Sequence, residues 1–343
     1  MAYTTVNKST AYFNTVLYTG TGSSNSISGV NFQPDWVWIK KRNAAVGHRI
    51  YDSVRGVQNT LFSDSDAAEG TGQSTTLTAF NSDGFTVISE SGVNASSDTY
   101  ASWNWLADNT SGSSNTDGTI TSTVSANTTS GFSIVSFTGT GSNATVGHGL
   151  GTAPSMIIQK ARDSVLNWKV YHKSLGATQY MNFDQTNAAA TASTIWNDTE
   201  PTTSVYSLGT GNTNTSSVNY IAYCFAEKQG FSKFGSYVGN GNADGTFIYT
   251  GFKPAFVMCR RTDTIEDWGI TDVKRNTFNI VDKKLRPNSS ITEVTIDILD
   301  INSNGFKLRN TSGEFNASGG TYIYMAFASA PLVGSNDIPC TAR

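Results

Sequence analysis

Three histidines, His48, His148 and His172, are the first side chains to weigh for chemistry. A catalytic imidazole needs a nucleophile or carboxylate at hand, and a metal centre needs ligands at set spacing. None of the three lies in a G-x-S-x-G or similar motif, and none pairs with another histidine at ligand spacing. Each reads as a strand or loop histidine making one hydrogen bond. Gly139-Thr-Gly141 resembles a fragment of a phosphate loop, but no Lys-Ser/Thr and no helix follow, so it reads as a turn. The carboxylate pairs Asp64 with Asp66 and Asp297 with Asp300 have the residue types used in glycoside hydrolysis. Neither pair recurs in a cleft-like setting, and the twelve-residue calcium-loop pattern is missing. Cys224 and Cys259 fall in apolar runs at 220–225 and 256–260, and with Cys340 the count is odd and no C-x-x-C occurs. Small buried hydrophobes are expected there, not a disulfide framework or zinc site. The chain is therefore expected to be no enzyme and to need no cofactor or metal.

The elements that would position any site come from an internal repeat. An aromatic–x–Gly–x–Gly turn occurs at Tyr18–Gly22, Phe137–Gly141 and Tyr237–Gly241, and a proline follows it by sixteen or seventeen residues, at Pro34, Pro154 and Pro254. Each proline opens an apolar run that ends in basic residues, the first always six positions on, at Lys40, Lys160 and Arg260. Fourteen positions after each proline a further strand begins, at His48, Trp168 and Trp268. Each unit closes on a strand ending in alanine, at Ala107, Ala226 and Ala328. The first and third units also share 81–87 (NSDGFTV) and 302–308 (NSNGFKL), whose glycines supply the positive φ of a tight hairpin. The second unit lacks that turn and is the most diverged.

Short β-branched and aromatic runs between turn-forming residues are the mark of sandwiches and barrels. Charged residues make up only 14% of the 343, yet aromatics reach 11%, so the low charge does not signal disorder. The reading is all-β, three tandem β-sandwich repeat domains of jelly-roll-like type. Their expected bounds are 1–107, 131–227 and 228–330, with 108–130 as a polar linker or loop and 331–343 as an extended C-terminal tail packed on a neighbour. The run after each proline is apolar on both faces and should lie centrally in a sheet, its basic residues emerging at the rim with their charges in water. Six tryptophans (Trp36, Trp38, Trp103, Trp105, Trp168, Trp268) fall in repeated strands and read as core. Trp196 lies outside the shared landmarks; with Tyr206 it is a candidate carbohydrate-stacking surface, or else it plugs the edge of the diverged unit. A net charge of −3 gives no drive toward nucleic acid or an anionic membrane, and no apolar stretch approaches a membrane span.

The segments 237–262 (YVGNGNADGTFIYTGFKPAFVMCRRT), 267–275 (DWGITDVKR), 300–309 (DINSNGFKLR) and 321–343 together resemble the repeat domain of virion proteins of marine tailed bacteriophages. Unit one, through 32–42 and 80–89, is similar as well; unit two departs. The resemblance implies a structural protein on the virion surface, assembled in the host cytoplasm beside other virion proteins. A tail fibre or appendage for host attachment, recognising a surface glycan or protein receptor, is the first expectation. A capsid decoration, vertex or head-fibre protein is the alternative, and a polysaccharide depolymerase a remote one. A homo-oligomer such as a trimer is expected, although three copies in one chain can build a pseudo-threefold object alone.

Overall fold

The apolar runs that follow the three prolines become the strands Trp36–Lys41, Met156–Ala161 and Pro254–Arg261 in the computed structural model, which describes residues 4–329. Each lies between the closing strand of its unit and the strand that follows it, antiparallel to both. That central place is what an apolar run on both faces requires, because a central strand is covered on both sides. In unit one the first sheet runs Phe13–Thr19, Thr99–Trp105, Trp36–Lys41, Arg49–Asp52, Gly56–Leu61 in spatial order. A smaller sheet of Asn25–Ile27, Gly84–Val87 and Leu77–Asn81 packs over it through Ile27, Val37, Ile39, Tyr51, Phe85 and Tyr100. The pairings of first with eighth, eighth with third and second with seventh strand are those of a jelly roll. The fourth and fifth strands depart from it by staying beside the third. Units two and three repeat the plan, each with its own core between two layers.

The sheets' other faces do not meet solvent. They meet one another, so that Trp36, Trp38, Trp103 and Trp105 of unit one share a single core with Met156, Ile158, Tyr223 and Phe225 of unit two and Phe256, Met258, Met325 and Phe327 of unit three. Ring contacts cross every boundary: Trp36 stacks on Tyr223 at 4.5 Å, Trp105 meets Phe256 edge-on at 5.9 Å, and Phe225 meets Phe327 at 6.1 Å. The units are thus the corners of one pseudo-threefold body, and unit one does not sit apart from the others.

The segment 108–130 is not a free linker. It contributes the strands Ser113–Asn115 and Ser122–Asn127 to the first sheet of unit two, and Ile120 bridges to Val146 in the second. The buried carboxylate of Asp35 anchors its start, accepting the N–H groups of Ala107 at 2.7 Å and Asn109 at 3.0 Å. Added at a sheet's flank, these strands are held by ladder hydrogen bonds and need few apolar contacts, mainly Ile120 and Val124. Unit two has no counterpart of the Leu77–Asn81 strand; the chain before Val205–Leu208 makes instead a helical turn, Ser193–Trp196. The tail 331–343 lies outside the described residues.

One buried asparagine per unit fastens the aromatic–x–Gly–x–Gly turn. Asn94, Asn214 and Asn316 are fully buried; each accepts from the backbone N–H of the residue between the two glycines, and its amide donates to carbonyls on both sides. Six residues further on, Tyr100, Tyr220 and Tyr322 stack on the turn's aromatic residue at 5.0, 5.2 and 4.8 Å. The first glycine is demanded by close approach: a Cβ on Gly20, Gly139 or Gly239 would lie 2.1–2.4 Å from a backbone oxygen. The second is demanded by φ values of 65–75°.

Candidate binding surface

Equivalent buried polar groups of the three units reach across the boundaries in a cyclic pattern. Lys40, Lys160 and Arg260, expected at the rim with charges in water, are buried instead. Each reaches into a loop of the neighbouring unit: Lys40 donates to the Ser290 carbonyl, Lys160 to Asp66, Arg260 to Asn187. The unit's own sheet stops where the neighbour's loop covers it, so these cations supply the donors that the loop carbonyls need. Burial lowers the two lysines to about 8 and Arg260 to about 10. The indoles follow the same cycle, Trp168 donating to the Phe62 carbonyl and Trp268 to Asn182. His48 holds the matching position in unit one and contacts the Arg286 carbonyl at 2.8 Å.

All three histidines have both ring nitrogens engaged. His48 accepts from the Trp38 indole at 2.8 Å; His148 and His172 accept from the N–H groups of Leu150 and Ser174. The other nitrogen of each faces a carbonyl, so each ring is neutral with its one proton and one lone pair engaged. Burial depresses all three, His172 to about 4. One member of each carboxylate pair is engaged: Asp64 accepts from the His48 N–H, and one oxygen of Asp300 is paired with Arg309 at 2.6 Å. Cys224 and Cys259 are buried free thiols, both raised by desolvation, Cys259 to about 12. Among the described residues no group of three or more His, Cys, Asp or Glu could hold a metal ion.

The two boundaries that involve unit one's Asp52 and unit three's Asp272 carry buried charge networks. Arg55 bridges Asp52 and Glu69, and Glu69 reaches Arg162 of unit two at 2.9 Å. Arg275 bridges Asp272 and Glu293 at 2.6 and 3.1 Å, and Glu293 reaches Arg42 of unit one at 2.8 Å. At the third boundary the matching positions are His172, Leu175 and Ala189, and the latter two pack against the shared core.

Trp196 and Tyr206 are 2% and 1% exposed, so neither forms an outward stacking surface. Trp196 packs edge-on against Tyr171 at 6.2 Å within the core of unit two. The helical turn that carries it, where the other units have a strand, points the indole inward. Tyr206 sits in Val205–Leu208 at an inward register position, opposite Val146. The outward aromatic pair lies in unit three. On the strand Phe247–Tyr249, Ile248 points inward against Phe306, while Phe247 and Tyr249 are 44% and 63% exposed. Phe247 lies over Gly305, where a Cβ would meet its ring at 2.9 Å. Beside the pair runs a charged row: Asp244 binds Lys307 at 2.5 Å and Arg309 at 3.3 Å. Matched through the inward pairs Ile27–Phe85 and Val146–Tyr206, the positions of Phe247, Tyr249 and Lys307 hold Ser26, Ser28 and Thr86 in unit one, and Thr145, Gly147 and Ser207 in unit two. The aromatic face is therefore peculiar to one corner. Its signal in the sequence is Phe-Ile-Tyr at 247–249, visible only once the strand register says which side each residue takes.

One family model, described as "Domain of unknown function (DUF7483)", matches residues 8–331 in a single span. The chain belongs to the DUF7483 family. The matched span takes in all three units of the DUF7483 fold, in keeping with their common core. No curated protein matches the chain.

Proposed function

We propose that this DUF7483 chain is a non-enzymatic structural protein of a bacteriophage virion, a tail-associated appendage that holds a host-surface glycan on the outer sheet of its third unit. The observation that carries the glycan part is the outward pair Phe247 and Tyr249, present at one corner and replaced by small residues at the other two. Aromatic faces accept the C–H face of a pyranose, and the neighbouring Lys307, Arg309 and Asp244 offer partners for its hydroxyls. A scaffold whose buried cations and indoles hold three corners together suits a rigid carrier. The virion part is supported by the resemblance of 237–262, 267–275 and 300–309 to phage structural repeats. Labelled particles lacking the protein, or carrying F247S/Y249S, should lose adsorption to host cells; unchanged adsorption refutes the reading. Electron microscopy should find its density on the tail, and density on the head would replace this reading with capsid decoration.

A further inference from the structure

A cleft of about 500 Å³ opens between units one and three, within the size range of small-ligand sites. Three observations give it a chemical character. The first is Thr15, which lines the cleft; it is 4% exposed and its hydroxyl has no hydrogen-bond partner among the described residues. A buried hydroxyl without a partner is costly, and such groups ask for an explanation. The register places Thr15 opposite Trp103, where units two and three carry Ile134 opposite Tyr223 and Phe234 opposite Met325, both packed in the shared core. The cleft thus coincides with a polar residue at a position that is apolar and filled elsewhere.

The second observation is charge. Lys253 and Lys274 line the cleft, and among the described residues neither makes an ion pair and no carboxylate lines it. The matching positions in the other units are Gln33 and Ala153 for Lys253, and Val54 and Ser174 for Lys274, so both cations belong to this cleft alone. The third is Phe278 at the lining, 83% exposed, an aromatic surface beside the two cations.

We infer that this cleft is a second binding site, for an anionic sugar: a pyranose bearing a carboxylate or sulfate, its charge between Lys253 and Lys274, a hydroxyl on Thr15 and its apolar face against Phe278. Charge complementarity selects the anion; the aromatic surface and the polar lining select a sugar over a simple ion. The inference rests on the attachment reading for its biological setting and on the cleft's own residues for its chemistry.

Calorimetric titration of the full chain with digalacturonate, with its dimethyl ester as the neutral counterpart of similar shape, tests it. Digalacturonate should bind, and the ester at least about tenfold more weakly. K253M/K274M should weaken digalacturonate binding by about tenfold or more and flatten its salt dependence. Thr15→Val should weaken it while leaving the melting temperature unchanged or higher, because it removes an unpaired hydroxyl. F247S/Y249S should leave it intact. Equal binding of acid and ester, indifference to K253M/K274M, or no binding of either digalacturonate or a sulfated disaccharide at millimolar concentration would overturn the inference. The titration involves no cells, so adsorption lost in F247S/Y249S particles alongside no binding of either anionic sugar would end this inference and leave the attachment reading standing.

Discussion

Replacing Arg55 by leucine should be among the most damaging single changes in the protein, while a larger set of changes around it should cost much less. The Arg55 and Asp52 side chains are completely buried, Glu69 is nearly so, and Arg55 joins the two carboxylates. It also donates to the Ile50 and Asn59 carbonyls. Removing the cation leaves the buried Asp52 carboxylate without a counter-ion and Glu69 with Arg162 alone, a loss of about 3–5 kcal/mol by analogy with broken buried pairs. The chain's own third boundary shows another solution, with His172, Leu175 and Ala189 at the matching positions. Transplanting it as D52H/R55L/E69A, with Tyr223→Phe to remove the hydroxyl that donates to Asp52 at 2.7 Å, leaves no buried charge without a partner. Exchange of a whole buried network for apolar groups is often close to neutral, so the fourfold variant should lie within about 2 kcal/mol of the parent. Urea unfolding followed by tryptophan fluorescence is the assay. With an m-value of about 3 kcal/mol/M or somewhat more for a cooperative unit of this size, R55L should lower the midpoint by about 1 M. A fourfold variant as unstable as R55L would refute the account of the boundary. Two separate transitions in the parent would refute the shared core.

Asn316→Ala should lower stability by about 2–3 kcal/mol, since it leaves the Asn240 N–H and the Asn242 and Asn310 carbonyls without a buried partner, and a thermal melt reads the loss. Gly239→Ala, whose Cβ would lie 2.4 Å from the Ala317 oxygen, should cost at least as much by the same measurement. Lys40 and Lys160 are held at about 8, below the ordinary lysine value, so the folded chain binds fewer protons than the unfolded one above that pH. Stability should therefore rise between pH 8 and pH 9, and the rise should shrink in K40M and K160M; a fall in the parent contradicts it. The Cys224 and Cys259 thiols should resist a maleimide probe in the native protein and react once it is unfolded, with peptide mass spectrometry reporting each site.

The repeat was legible because its landmarks are backbone requirements. Glycines that need positive φ and prolines that open strands keep fixed spacing, and they locate the equivalent strands Trp36–Lys41, Met156–Ala161 and Pro254–Arg261. What the first sheet packs against was not legible, because a strand buried by a neighbouring unit reads like one buried within its own. For the same reason Lys40, Lys160 and Arg260 look like rim residues when the neighbour's loop is out of sight. The strand Ser122–Asn127 escaped because ladder hydrogen bonds leave no mark on side-chain type. Trp196 admits both readings because an aromatic residue outside a repeat looks the same whether it fills a gap or faces solvent, and Phe247 and Tyr249 were hidden by a register that only pairing reveals.

Around the central axis unlike residues occupy like positions, tryptophan, tyrosine and methionine at 103, 223 and 325. Three separate copies of one short chain would have to set the same side chain at that spot three times over. A single tethered polypeptide is released from that constraint, and inherited change at one corner need not be matched at the others. Such a body can carry one distinct face on an otherwise near-symmetric frame, so each molecule should engage its target once and not three times.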